Sequence, residues 1–173
     1  RGMASPTVRH GKILKRMVRY LVGAPNLVWT FKRQRWPGRF KTFSDTDWAG
    51  CPLTRRSTSG TAVMFGTHCI LTLSSTQVPV SLSSAEAEYY GMVKAGSRAI
   101  GIFNLARDLG FHLGGEFDSE LLSDSSSAIA IAVKRGVGKV RHLETGALRL
   151  QAAVATKKLI VSKVEGKKNP ADI

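Results

Sequence analysis

Phe43-Ser44-Asp45-Thr46-Asp47-Trp48-Ala49-Gly50 ends an apolar, β-prone run in carboxylates, and Ser83-Ser84-Ala85-Glu86-Ala87-Glu88-Tyr89 opens a long helical pattern with two more. Between them lie two short β-prone runs, 61–65 and 69–73, joined by the turn Gly66-Thr67-His68 and preceded by a polar, basic loop from Pro52 to Ser59. A strand over 39–46 followed by these two makes an antiparallel meander. A helix over 83–109, ended by Gly110, carries the chain back so that a fourth strand, 120–123, lies parallel to the first. A helix over 125–134 stopped by Gly136, another over 141–155 and a last strand over 158–164 complete the plan. This succession reads as a mixed α/β domain.

Upstream, residues 7–22 place Ile13, Leu14, Met17, Val18 and Leu21 on one helical face and Arg9, Lys12, Lys15, Arg16 and Arg19 around the rest. This amphipathic helix either packs on a neighbour with its charged face in water, or also lays that face on a phosphate backbone. Leu27 to Phe31 reads as a short strand, and Trp36-Pro37-Gly38 as a turn. The expected division is therefore 1–38 as a connecting helical segment and 39–173 as the α/β domain.

The chain carries 26 Lys and Arg against 12 acids, a net charge of +14, which points to a polyanionic partner, nucleic acid first. With 43% hydrophobic residues it can build a core, which excludes wholesale disorder. Cys51 and Cys69 have no zinc-ligand spacing, and so sparse a cysteine content suits a reducing compartment. No run of about 18 apolar residues occurs, so no membrane partner is expected.

Acids at the ends of different elements, in so basic a chain, suggest a Mg²⁺ site acting on a phosphodiester. Asp45 ends a strand beside an apolar core, where a carboxylate is costly unless paired. Asp47 has the same strand parity and either shares the site or caps the next turn. Ser83 and Glu86 form a capping box, which gives Glu86 a structural task. Glu88, about 200° further round the helix, shares a face with Met92, Ala95 and Ala99 and either points toward the sheet or is a solvated first-turn glutamate favoured by the helix dipole. Asp124 sits where a strand meets a helix, as ligand or as cap. Asp172 follows Pro170 in what reads as a first helical turn, where acids are common.

Ser44–Gly50, Arg55-Arg56-Ser57-Thr58-Ser59-Gly60, Ser83–Tyr89, Asp124-Ser125-Ser126-Ser127-Ala128, Lys139–Glu144 and Asn169–Ile173 occur in this order. Together they resemble the ribonuclease H domain of copia-type retrotransposon polyproteins over about 40–173. Residues 1–35 resemble the tail of the preceding reverse transcriptase. The resemblance implies a ribonuclease H-like fold, a five-stranded mixed sheet flanked by helices, and hydrolysis of the RNA strand of RNA–DNA hybrids. It implies a four-carboxylate site of Asp45, Glu88, Asp124 and Asp172 holding two Mg²⁺, with Mn²⁺ as a substitute. Arg55 and Arg56 are then candidates for contacts to the nucleic-acid backbone, against the simpler reading of a loop ion pair. His142 reads as a structural histidine or, alternatively, a proton shuttle.

The implied partners are the hybrid and the reverse transcriptase domain of the same polyprotein, inside the cell in a cytoplasmic particle or the nucleus. Leu73 stands where relatives often carry Trp, and Ile173 falls where the family continues into a helix. No polymerase Asp-Asp motif is visible. The competing expectation is a degenerate element remnant that binds nucleic acid without cutting it.

Overall fold

The computed structural model describes residues 5–26, 28–111, 117–134 and 148–172. It divides into two compact units, Arg1–Arg33 and Gln34–Ile173. The first holds α1 (Val8–Gly23), whose N-cap Thr7 accepts from the His10 backbone while His10 Nδ1 takes the Thr7 N–H. Within this unit none of its residues is buried, and Leu14, Met17 and Leu21 are exposed. Residues 28–31, expected as a strand, form none, and no ladder partner is found for them among the described residues.

In the second unit the elements run β1 (Arg39–Asp47), β2 (Thr58–Phe65), β3 (His68–Thr76), α2 (Ser84–Asp108), β4 (Asp118–Ser123), α3 (Ser126–Val133), α4 (Leu148–Ala155) and β5 (Ile160–Lys163). The sheet order is β3-β2-β1-β4-β5, with β1–β2 and β2–β3 antiparallel and β1–β4 and β4–β5 parallel. This is the expected ribonuclease H-like sheet: an antiparallel meander extended by parallel strands.

Several boundaries differ from the sequence reading. β2 starts at Thr58, inside the expected loop, because Gln77 donates its backbone N–H to Ser57 O and its side chain to Ser59 Oγ. The hairpin turn is Gly66-Thr67, with φ +61 at Gly66, and His68 already belongs to β3. β5 is shorter than expected, ending at Lys163. The expected helix over 141–155 is described from Leu148 onward; Gly136, His142 and the Lys139–Glu144 block lie outside the described residues.

Small residues let α2 lie close on the sheet. A Cβ at Gly91 would collide with Thr46 Oγ1, and one at Gly96 would stand 3.0 Å from Leu150. Tyr89, Met92, Ala95 and Ala99 of α2 meet Leu121, Ala128, Leu150 and Leu159 in the main core. A second cluster gathers Phe40, Val63, Phe65 and Ala106 at the other end of β1. The helix ends where Gly110, at φ +84, donates its N–H to Arg107 O.

Candidate metal centre

The site begins where a ladder stops. Parallel pairing of β1 with β4 ends at Ser44↔Ser123, but β1 continues against β2 as far as Asp47↔Thr58. A notch therefore opens at the carboxyl ends of two parallel strands, the position where open α/β sheets favour ligands. Asp45 and Asp124 are the first residues past the last pair on either side of it. The second turn of α2 brings Glu88 to the same place. One carboxylate oxygen from each of Asp45, Glu88 and Asp124 lies within 4.8 Å of the others, and all three side chains are half-buried.

Three like charges at this spacing repel, and burial adds to the cost. Glu88 bears most of it: burial, then the charges of Asp45 and Asp124, push its carboxyl from 4.5 up to about 8, against the pull of a Thr46 backbone hydrogen bond. Glu88 Oε2 is buried and has no hydrogen-bond partner among the described residues. A proton or a cation resolves such an arrangement. An all-carboxylate, hard-oxygen donor set with an orphaned oxygen fits a divalent cation.

The surroundings hold these acids in place. Ser83 Oγ caps α2 by accepting the Glu86 N–H at 3.2 Å. The Glu86 carboxylate accepts the Leu82 N–H at 2.8 Å, one residue short of the N-cap that a complete capping box would reach. Glu86 is 4% exposed and is not a member of the acid cluster, so the two glutamates are separated. Buried Gln77 donates to Ser59 Oγ and Ala87 O, both at 2.8 Å, tying β2 to the turn that bears Glu88.

Asp47 is exposed, its carboxylate filling the space a Cβ on Gly50 would need, and it stays outside the cluster. Asp172 is exposed and also lies outside the three-acid group, so the structure brings together three of the four acids the resemblance implies. It sits in a turn, its N–H bonded to Asn169 O at 3.2 Å, where a helix start was expected. Arg55 and Arg56 are both exposed on a loop closed by Arg55 N–H to Cys51 O and Cys51 N–H to Arg56 O. Neither makes an ion pair among the described residues, so the loop ion pair is absent there. Leu73 is half-buried on β3 opposite Thr61.

Two features escaped the sequence reading. Thr42, Ser44 and Thr46 form a buried hydroxyl seam under α2, each hydroxyl without a partner among the described residues. Their alternate spacing in β1 was the available signal. Asn169, 6% exposed, donates from Nδ2 to Ser44 O across 125 residues, and nothing local in the sequence announces that contact.

No protein-family model matches the chain. The retrovirus-related Pol polyprotein from transposon RE1 of Arabidopsis thaliana is 38% identical over 111 residues, 64% of this chain and 8% of that polyprotein. The corresponding polyprotein from transposon TNT 1-94 of Nicotiana tabacum is 27% identical along the whole chain, over 13% of its own length. The chain is thus similar to segments of retrotransposon Pol polyproteins. It spans less than a tenth of the RE1 polyprotein. Among solved structures, ribonuclease H1 from the archaeon Halobacterium salinarum is similar at 16% identity and TM-score 0.49, over 77% of this chain and 90% of that one. Strand order and strand direction give the second unit a ribonuclease H-like fold.

Proposed function

We propose that this domain hydrolyses the RNA strand of RNA–DNA hybrids as a metal-dependent endonuclease, leaving a 5′-phosphate and a 3′-hydroxyl. One observation carries the reading: three half-buried carboxylates at the open ends of β1 and β4, with a Glu88 oxygen buried and unbonded. Asp45, Glu88 and Asp124 hold the cations, and Asp172 joins them as the fourth ligand. Two Mg²⁺, replaceable by Mn²⁺, supply an activated water and stabilise the leaving 3′ oxygen. The chain's own contribution is rigidity. The Thr46 backbone fixes Glu88, and the ladder fixes the separation of Asp45 from Asp124.

Hybrid recognition proceeds by shape, through phosphate and 2′-hydroxyl contacts, with Arg55 and Arg56 on the backbone and the net charge of +14 drawing the polyanion in. The reverse transcriptase domain of the same polyprotein is the natural partner, within the cell in a particle or the nucleus. No helix among the described residues is long and apolar enough to cross a membrane.

The test is cleavage of a labelled RNA–DNA hybrid in Mg²⁺, beside single-stranded RNA, duplex DNA and Asp45→Asn. Cleavage of the hybrid's RNA strand alone, abolished in the variant with hybrid binding retained, is the expected result. Undiminished cleavage by Asp45→Asn would refute the ligand assignment. Salt-sensitive binding without cleavage by the parent chain would favour the non-catalytic remnant, a reading that the position of Asp172 outside the acid cluster supports.

A further inference from the structure

The segment after β5 crosses the mouth of the notch and touches it at successive points. Val164 donates its N–H to Ser123 O at 3.1 Å, immediately before Asp124. Gly166 passes so close that a Cβ there would stand 3.1 Å from Asp124 Oδ2. After a turn of 3₁₀ helix, Gly166–Lys168, Asn169 donates from Nδ2 to Ser44 O at 3.1 Å, immediately before Asp45. The contacts thus fall on Asp124 itself and on the residues preceding Asp124 and Asp45.

Asn169 uses both ends of its amide. Nδ2 reaches β1, while Oδ1 accepts the Ala171 N–H at 3.1 Å and its backbone O accepts the Asp172 N–H at 3.2 Å. The residue is 6% exposed, so these bonds form away from water, where losing one leaves a buried group unpaired.

We infer that Asn169 is a positioning residue: it fastens the Asn169–Asp172 turn to the end of β1 and so sets where Asp172 stands relative to Asp45. The inference rests on the metal-site reading above and assigns Asn169 no contact with metal or substrate. It acts through Asp172 and through the Ser44 carbonyl. Removing a partner that orients a metal ligand lowers affinity by about 10–100-fold.

The experiment is a Mg²⁺ titration of the full chain, read as metal-dependent thermal stabilisation without nucleic acid. It compares the parent, Asp45→Asn, Asn169→Ala, Asp172→Asn and the double variant. Asn169→Ala is expected to weaken Mg²⁺ affinity by about 10–100-fold, by the same factor as Asp172→Asn, with the double variant no weaker than either single one. Asn169→Ser, with a smaller change in volume, serves if the alanine variant does not fold, and the same loss is expected of it. A lowered melting temperature with unchanged Mg²⁺ affinity, or additive losses in the double variant, overturns the inference and makes Asn169 structural only. Should Mg²⁺ stabilise the parent and Asp45→Asn equally, or neither, the metal site itself fails and this inference with it. Stabilisation lost in Asp45→Asn but intact in Asn169→Ala overturns the positioning role alone.

Discussion

The two ends of β1 are built on opposite terms. At its start Phe40 lies 4.6 Å from Phe65 and 5.4 Å from Phe117, ring centroid to centroid, and Trp36 stacks edge-on against Phe65 at 5.3 Å. Arg39 there makes paired bonds to Asp118, with Nη2 to Oδ2 at 2.7 Å. At its finish the same strand has lost one neighbour and carries Asp45 against two other carboxylates. One end is closed by packed rings and an ion pair. The other is left with a charge problem that folding alone does not solve. The difference teaches where stability and chemistry reside: the aromatic end fixes the strand, and that fixed strand holds repelling acids together.

The comparison breaks most visibly at Phe65. It is 9% exposed and touches four aromatic rings. Phe65→Ala should remove about 3–5 kcal/mol of stability, the usual range for a buried ring and the cavity it leaves. Provided the variant still folds, its Mg²⁺ affinity should match the parent's. Urea unfolding paired with the metal titration checks both, and a large loss of affinity at preserved fold would show that the two ends are not separable.

Glu88→Gln attacks the other end and should act in the opposite direction. In the metal-free protein the Glu88 carboxyl is raised from 4.5 to about 8, so between those values the folded state holds a proton that the unfolded chain has released. Stability without metal therefore falls as pH rises from about 4.5 to about 8, because the unfolded state binds fewer protons there. The glutamine variant should lose this slope, be more stable than the parent above pH 8 in chelator, and bind no Mg²⁺ usefully. In the parent, metal affinity should climb with pH toward about 8 as protons stop competing for the carboxylate. A urea midpoint in chelator that stays flat across this pH range would sink the account.

Much of this was legible in the sequence because the signals are local. The alternation of β1, the Ser83 cap and the spacing of Glu86 and Glu88 are set by neighbours within a few residues, and they predicted which glutamate faces the notch. The start of β2 was misplaced because Gln77, a residue beyond β3, holds Ser57 and Ser59 in extended form. The apolar face of α1 shows the limit of periodicity, which says that a helix has a side to bury but not what covers it. Asn169 was illegible for the same reason as Gln77: its partner is distant in sequence, and only the folded topology brings it to Ser44.

The smallest expected effect sharpens the division between the two glutamates. Glu86 Oε2 accepts the Leu82 N–H at 2.8 Å, and the side chain sits in the first turn of α2, where the helix dipole favours negative charge. Glu86→Gln keeps an acceptor oxygen of the same reach and loses only the charge. The cost should be about 0.3–1 kcal/mol, a small fall in melting temperature. Hybrid cleavage and Mg²⁺ affinity should stay within error of the parent, since this carboxylate takes no part in the acid cluster. Glu88→Gln, one amide two residues away, should abolish both. If Glu86→Gln instead removed activity with its fold intact, the capping argument would have chosen the wrong glutamate, and the notch would have to be rebuilt around the other one.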